Sequence, residues 1–194
     1  MNPRPWHARY GSIPTEIDAD AYPSVVAMLE AAMVTFADRP AFKCFGQTLS
    51  YADVDRLSRH FAAYLQSRLG VRKGDRIALM TPNLMAFPIA FLGIARAGAV
   101  QVNVNPLYTP RELAHQLRDA GAEILIVFNG VSATVADVLS TPDAPPLVKT
   151  VLTISPGDGT TAALPSPPVD ARLQGTVAFA QALSDGENLP FVPV

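Results

Sequence analysis

The apolar positions follow two different rhythms along the chain. Between residues 24 and 37 they fall three or four apart, which predicts an amphipathic helix. Two short apolar runs follow, at residues 41–45 and 48–51, and the Gly46-Gln47 pair between them predicts a hairpin. Beyond them the pattern changes to short continuous apolar runs.

Small polar residues mark the starts of the first helices. Ser24 is placed to accept a hydrogen bond from the first free backbone amides of the first helix. Ser50 and Asp53 form a variant of the capping box, which predicts a second helix that ends at Gly70. Both helices therefore have a local chemical reason to begin where the pattern places them.

The helix over residues 110–120 has the most complete set of boundary signals. Thr109 is the N-cap, Pro110 occupies the first helical position, Glu112 completes a capping box and Gly121 follows the last turn. This helix is therefore predicted with defined ends.

The continuous apolar runs of the second half predict strands that are buried on both faces. They alternate with segments of helical composition, as expected for a parallel sheet whose crossovers cover both of its sides. The runs are residues 76–80, 99–104, 124–128 and 148–154. The predicted fold class is α/β, a three-layer domain with a mostly parallel sheet, helices on both faces and a small N-terminal hairpin.

The helix over residues 84–97 carries too many large apolar side chains for one face, so a second partner besides the sheet is implied. The rest of the same fold is the first interpretation. A subunit interface or a membrane-facing patch is the alternative.

We expect a single domain over residues 1–194. It begins with a lead segment at 1–23 and an α/β core at 24–154. A Pro- and Gly-rich surface loop at 155–175 and a short helix near 176–184, followed by a tail to 194, complete it.

Composition excludes several classes of protein. With 49% hydrophobic and 16% charged residues and a net charge of −2, the chain has a well-filled core and no basic patch for nucleic acid. The single Cys44, interpreted as a small buried apolar residue, makes a cytoplasmic setting the default. The opening residues 1–17 lack the apolar core of a secretory signal, and the longest apolar run is too short to span a membrane.

Candidate ligand-contacting residues follow the predicted strands. Open parallel sheets collect ligands at the carboxyl ends of their strands, and Asn83, Asn103, Asn105 and Tyr108 occupy such positions. The competing interpretation is that Asn105 and Tyr108 satisfy the turn backbone and pack the loop on its own helix, because Asn-Pro is common turn chemistry.

No catalytic, cofactor-binding or metal-binding residue is assigned. The Gly-rich run at 155–161 has no following Lys to hold phosphate, so it is not interpreted as a nucleotide loop. His7, His60 and His115 lie far apart and match no metal-ligand spacing, and His115 is expected to have a solvated or capping role.

Three runs carry a family resemblance: Lys-Gly-Asp-Arg-Ile-Ala at 73–78, Ala-Gly-Ala at 97–99 and Asn-Pro-Leu-Tyr-Thr-Pro-Arg-Glu-Leu at 105–113. They resemble long-chain fatty acid CoA ligases, a branch of the adenylate-forming synthetases. The first two runs are shared by that whole superfamily, whereas the third looks like the bacterial long-chain branch.

The resemblance implies the amino-terminal subdomain of the adenylate-forming fold and a parent enzyme that joins a fatty acid to CoA through an acyl-AMP. ATP, magnesium and CoA are the cofactors implied for that parent. In the family, the phosphate loop, acyl tunnel and catalytic lid come later than the region matched here. We therefore expect this chain to be a structural, inactive piece that needs no cofactor by itself.

The alternative is a free-standing interaction or ligand-binding module with the same α/β topology. A homodimer and peripheral association of the parent with the inner membrane also remain open.

Overall fold

The protein is described by a computed structural model over residues 4–141 and 148–194. Its helices are α1 (Val25–Thr35), α2 (Tyr51–Ser67), α3 (Ala86–Arg96), α4 (Pro110–Ala120), α5 (Ser132–Leu139) and α6 (Phe179–Gly186). Its strands are β1 (Pro40–Cys44), β2 (Gln47–Ser50), β3 (Arg76–Met80), β4 (Val100–Asn103), β5 (Ile124–Phe128), β6 (Thr150–Ile154) and β7 (Val177–Ala178). Short 3-10 helices lie at Pro5–Arg9 and Asn129–Val131.

Five strands form one sheet in the order β4-β3-β5-β6-β7, and every neighbouring pair runs parallel. The apolar runs produce this arrangement because the central strands β3, β5 and β6 are covered on both faces and each crossover returns the chain to the same end of the sheet. The predicted fold class, a parallel sheet between helices with a separate antiparallel hairpin of β1 and β2, is confirmed.

Alternate residues of β3, β5 and β6 enter two separate cores. On β3, Ile77 and Leu79 pack with α2, α3 and α6 on one face, whereas Ala78 and Met80 pack with α4 and α5 on the other. The period of two in a strand is what divides one apolar run between two cores. The sheet is therefore the middle layer of three.

The hairpin turn lies one residue earlier than the sequence predicts. Phe45 and Gly46 form the turn, with φ values of 47° and 73°, and β1 ends at Cys44. Two successive positive φ values are the geometry of a tight hairpin turn. Glycine tolerates it, whereas Phe45 adopts a conformation that a bulky residue rarely takes.

The Pro- and Gly-rich segment contains no helix or strand between Ile154 and Val177, as predicted, but it is not only a surface excursion. Gly159 approaches Ile89 on α3, and the backbone N–H of Asp170 donates to the Ser132 hydroxyl at 3.0 Å. The segment ends in β7, which the sequence pattern did not indicate because the strand has only two residues.

The start of α6 was predicted three residues too early. The helix runs over Phe179–Gly186, where Phe179 is fully buried and lies 4.7 Å from Phe61 of α2, centroid to centroid.

The second partner of α3 is α2, so the interpretation that the rest of the fold covers this helix is supported. Gly93 permits the close approach, since a Cβ atom there would lie 2.7 Å from Cδ1 of Phe61. Phe87 and Phe91 remain half-buried on the other side of α3, with parallel rings 6.4 Å apart.

Arg96 is the buried charge that joins three helices. Its side chain is fully buried, and its guanidinium group donates to Glu30 of α1 at 3.1 Å, to the Asp55 backbone carbonyl of α2 at 2.7 Å and to the Ser58 hydroxyl. It also forms an ion pair with the Asp55 carboxylate. The sequence pattern indicates only that Arg96 ends an apolar run.

The predicted boundary chemistry is present. Ser24 accepts from the Ala27 amide, and the capping boxes of Ser50 with Asp53 and of Thr109 with Glu112 are both formed. Gly121 ends α4 in the left-handed conformation, with φ 62°. Over the described ranges, no helix has both the length and the apolar character needed to cross a membrane.

Candidate functional site

The carboxyl ends of β3, β4, β5 and β6 meet at one edge of the sheet. β4 lies on one side of β3, and β5, the next strand in the chain, lies on the other side. The direction in which successive strands are added to the sheet therefore reverses between β3 and β5. Open parallel sheets form a crevice at such a reversal, outside the carboxyl ends of the strands. The predicted loops after β3 and β4 lie at this edge.

Asn103 ends β4 and is held by two glutamines. Its side-chain Oδ1 accepts from Nε2 of Gln101 at 2.6 Å, and its backbone carbonyl accepts from Nε2 of Gln116 on α4 at 2.8 Å. The side chain of Asn103 is exposed, and its amide group forms no hydrogen bond as a donor within residues 4–141 and 148–194. Asn103 therefore presents a positioned donor at the sheet edge.

Asn105 and Tyr108 build the loop that leads into α4. Oδ1 of Asn105 accepts from the Leu107 amide at 3.0 Å, and its carbonyl accepts from the Tyr108 amide at 3.1 Å. The half-buried Tyr108 packs against the core beneath α4. These contacts satisfy the turn and seat it on its own helix, which favours the structural interpretation for both residues. A contact with substrate remains a prediction.

Asn83 lies in the loop after β3, apart from the Asn103–Tyr108 loop. Its backbone carbonyl accepts from the Cys44 thiol at 3.8 Å, which connects this loop to the hairpin. Its side chain is exposed and has no hydrogen-bond partner in the described part of the chain. Asn83 is thus the predicted residue whose polar group is fully available.

Asn129 is a buried polar residue at the same edge, and it was not predicted from the sequence. It follows β5, its Nδ2 donates to the hydroxyls of Ser155 and Ser166 at 3.0 Å each, and its Oδ1 is buried without a partner among the described residues. The signal was available, because Asn129 directly follows the apolar run at 124–128, and Asn103 lies near the end of the run at 99–104. Asn129 fixes the segment after β6 through serines that are distant in the sequence, so this role could not be predicted from the sequence.

The Gly-rich run after β6 is unsuited to phosphate. Oδ2 of Asp158 accepts from the Ser155 amide at 2.9 Å, so a carboxylate occupies the place where a phosphate loop would present a free amide to an anion. Burial raises the pKa of Asp158, which the hydrogen bond from Ser155 only partly opposes. The described residues therefore do not fit a nucleotide triphosphate here.

Among the described residues, no three His, Cys, Asp or Glu side chains come together in an arrangement that could hold an ion. His115 is exposed on α4, as expected.

A sequence model described as AMP-binding enzyme matches residues 29–184 of the chain. That match covers most of the domain, including the whole parallel sheet. The chain belongs to the AMP-binding enzyme family.

The curated relatives within this family are much longer than the chain. The chain is 49% identical over 135 residues to the long-chain-fatty-acid–CoA ligase of Escherichia coli O6:H1, a match that covers 69% of the chain and 24% of the relative. It is 35% identical over 127 residues to the Bacillus subtilis enzyme of the same name, covering 65% and 22%. The chain therefore spans about a quarter of the length of these AMP-binding enzymes.

Solved structures agree on the fold. An anthranilate CoA ligase in complex with anthranoyl-AMP superimposes with a TM-score of 0.71 at 22% identity, covering 88% of this chain and 29% of that one. A fatty acyl CoA synthetase of Mycobacterium tuberculosis superimposes with a TM-score of 0.62 at 26% identity, covering 66% and 26%. The layered sheet is thus the fold of this part of AMP-binding enzymes.

Proposed function

We propose that this chain forms the amino-terminal part of a cytoplasmic long-chain fatty acid CoA ligase. The complete enzyme would convert a fatty acid, ATP and CoA to acyl-CoA, AMP and pyrophosphate through an acyl-AMP, with magnesium bound to the nucleotide. The observation that carries this proposal is the 49% identity over 135 residues to a ligase of that name.

Within such an enzyme, the carboxyl edge of the sheet is the wall that this chain would contribute to the active-site cleft. Asn83 and Asn103 have exposed side-chain NH2 groups that can donate to a substrate, whereas Asn105 and Tyr108 would shape the loop between Asn103 and α4. Ligands of open α/β sheets lie at this edge, which supports the assignment.

We also propose that the 194-residue chain neither binds ATP measurably nor catalyses by itself. Each hydrogen bond to a charged phosphate contributes roughly 1.5–3 kcal/mol, and micromolar binding corresponds to about −8 kcal/mol. The loss of three or four such bonds therefore removes nearly all of the binding free energy. The Gly-rich run offers a carboxylate in their place.

Two experiments test the proposal. Titrating magnesium-ATP into the purified chain in a calorimeter should release no heat of binding, and clear binding would contradict the structural role. Replacing the matching segment of the Escherichia coli ligase with this chain should give a chimera that forms acyl-CoA. The ligase with that segment deleted is the negative control, and a folded but inactive chimera would overturn the assignment.

Association of the complete enzyme with a second copy or with the inner membrane is a further part of the proposal. Exposed large apolar side chains concentrate in the first 45 residues, among them Ile17, Val34 and Phe45. Where exposed apolar side chains form a contiguous patch, that patch marks an interaction site. Sedimentation over a concentration series tests for the homodimer, and flotation with vesicles of inner-membrane lipids tests for the peripheral association.

A further inference from the structure

The hairpin of β1 and β2 has an inner face that this chain covers only in part. Phe42 and Leu49 are partners across the hairpin, so their side chains share this face, whereas Lys43 and Thr48 point to the opposite, exposed face. Leu49 is 5% exposed within the core that α2 shares, but Phe42 remains 43% exposed. The apolar face of the hairpin therefore extends beyond its cover.

An apolar groove of about 200 Å³ continues this face toward the start of α3. Phe42 and Cys44 line its hairpin side, and the opposite wall is formed by Asn83, Leu84, Met85, Phe87 and Pro88. Lys43 adjoins the groove, but its side chain is directed to the other face of the hairpin. Among the described residues that line the groove, none therefore presents a charge to it.

The fold of this chain does not explain why the hairpin turn contains Phe45. The turn residues Phe45 and Gly46 have φ values of 47° and 73°, a geometry for which Asn-Gly is the preferred pair. A bulky residue in the left-handed region costs conformational energy, and the Phe45 ring, which is 62% exposed, recovers little of that energy by packing. A contact outside the described residues would account for an aromatic side chain at this position.

The position of the groove indicates which molecule covers it. Asn83 belongs to the loop after β3, at the carboxyl edge that forms the wall of the proposed active-site cleft. The rest of a ligase would face this wall, and the match to the Escherichia coli ligase covers only 24% of that protein. The uncharged lining suits an apolar segment of such a protein better than an anionic membrane surface, which attracts basic residues.

We propose that the groove and the hairpin turn form a docking surface for an apolar segment in the part of the complete ligase that this chain lacks. The Phe45 ring is the anchor of this surface, and Phe42 lies beside it in the groove. A few buried aromatic side chains commonly dominate the binding energy of an interface. The proposal rests on the proposed ligase function, and it gives the hairpin the role of positioning this chain against the rest of the enzyme.

Footprinting of the two rings tests the docking directly. The 194-residue chain and the Escherichia coli chimera described above share residues 40–50, so the hydroxyl-radical modification of Phe42 and Phe45 can be compared in the same peptide by mass spectrometry. Both rings should be modified about fivefold more slowly in the chimera, because anchor residues at an interface are fully desolvated. Equal rates in the two proteins would overturn the proposal.

Replacing Phe45 should have opposite effects in the two proteins. Asn tolerates the left-handed region, so Phe45→Asn should raise the melting temperature of the 194-residue chain by about 2–4 °C. In the chimera the same change removes the anchor, so the temperature of half-inactivation should fall and the Phe42 ring should become accessible to radicals again. Phe45→Leu keeps an apolar side chain and should preserve the protection of Phe42. Ile17→Asn removes an apolar side chain that is 92% exposed outside the groove, and it is the matched control that should leave Phe42 protected.

Each result decides the proposal. Stabilisation of both proteins by Phe45→Asn would overturn it, because strain at the turn would then act without docking. Dimerisation of the 194-residue chain that depends on Phe45, measured by sedimentation, would make the surface a contact between copies instead. Flotation with phosphatidylethanolamine–phosphatidylglycerol vesicles that depends on Phe45 would make it a membrane contact. An inactive chimera with protected rings would refute the ligase assignment and keep the docking surface, whereas an active chimera with equally accessible rings would refute the docking surface alone.

Discussion

Asn103 and Asn129 are similar residues at the same sheet edge, but only the first was found from the sequence. Both lie at or near the end of an apolar run. Asn103 leads into a loop with recognisable turn chemistry, whereas Asn129 is identified by its bonds to Ser155 and Ser166, which are 26 and 37 residues away. Local chemistry such as an N-cap can be predicted from the sequence because its partners are three residues apart. Hydrogen bonds between residues that are distant in the sequence cannot be predicted in this way.

Thr109 tests how much the cap of α4 contributes. Its hydroxyl accepts from the Glu112 amide, and the Glu112 carboxylate accepts from the Thr109 amide at 2.8 Å. Thr109→Ala should lower the free energy of unfolding by about 1 kcal/mol, measured by urea denaturation. Thr109→Ser keeps the hydroxyl and should retain most of the stability, so an equal loss in both variants would contradict capping as the cause.

Asp158 should cost stability at neutral pH. Burial raises its folded pKa above the ordinary value of 3.8, so the folded state is favoured below that value and this contribution is lost as the pH rises through the folded pKa. Asp158→Asn keeps an acceptor for the Ser155 amide and removes the charge. Its melting temperature should exceed that of the parent at pH 7, with the difference fading toward pH 3.8. A constant difference at every pH would exclude the charge as the cause.

At the scale of elements, α2 is the helix against which α1, α3 and α6 pack. Arg96 of α3 reaches Asp55 and Ser58 of α2 and Glu30 of α1, so one buried guanidinium group fixes three helices. The sequence predicted each of these helices from its own pattern. It did not predict their mutual packing, because an Arg at the end of an apolar run is equally consistent with a solvated terminus.

Removing the Arg96 charge should be costly. Arg96→Met should lower the free energy of unfolding by about 3 kcal/mol, because the carboxylates of Glu30 and Asp55 lose their shared partner. Denaturant titration measures the loss. Lys73→Met, a cation substitution at an exposed site, should change stability by less than about 0.5 kcal/mol.

The same cluster should give the protein an acid-sensitive contribution to stability. Burial alone would raise the pKa of Asp55, but hydrogen bonds from Arg96 and Arg59 outweigh it and the pKa is lowered. The contribution is therefore present above the ordinary value of 3.8 and lost as the pH falls through the folded pKa. Asp55→Asn should be less stable than the parent at pH 7 and approach it in acid. Parallel stability curves of the two proteins would contradict this cause.

The contact of α6 with α2 depends on the absence of a side chain. A Cβ atom at Gly186 would lie 1.9 Å from the backbone oxygen of His60, which cannot move without displacing α2. Gly186→Ala should therefore lower the free energy of unfolding by about 3 kcal/mol or more, measured by denaturant titration. Ser184→Ala introduces the same residue at an exposed position of α6 and should change stability by less than about 0.5 kcal/mol.

At the scale of the whole molecule, the parallel sheet was predictable and its last strand was not. Four apolar runs separated by helical segments determine the layers, because each run must be covered on both sides. Val177 and Ala178 of β7 are too few to show a period, and they become a strand only because Leu152 and Thr153 of β6 offer free backbone groups. Pairing with an existing sheet creates this strand.

The last segment should nevertheless be essential to the core. Truncation after Gly175 removes β7 and α6, including Phe179, which is fully buried against Phe61. The loss uncovers the face of the sheet shared with α2 and α3, so the truncated chain should lose its cooperative thermal transition in circular dichroism. Truncation after Leu189 removes residues 190–194, whose hydrogen bonds to Gln66 are exposed, and should preserve that transition. If both truncated chains melted like the parent, the sheet and its helices could not be one cooperative unit.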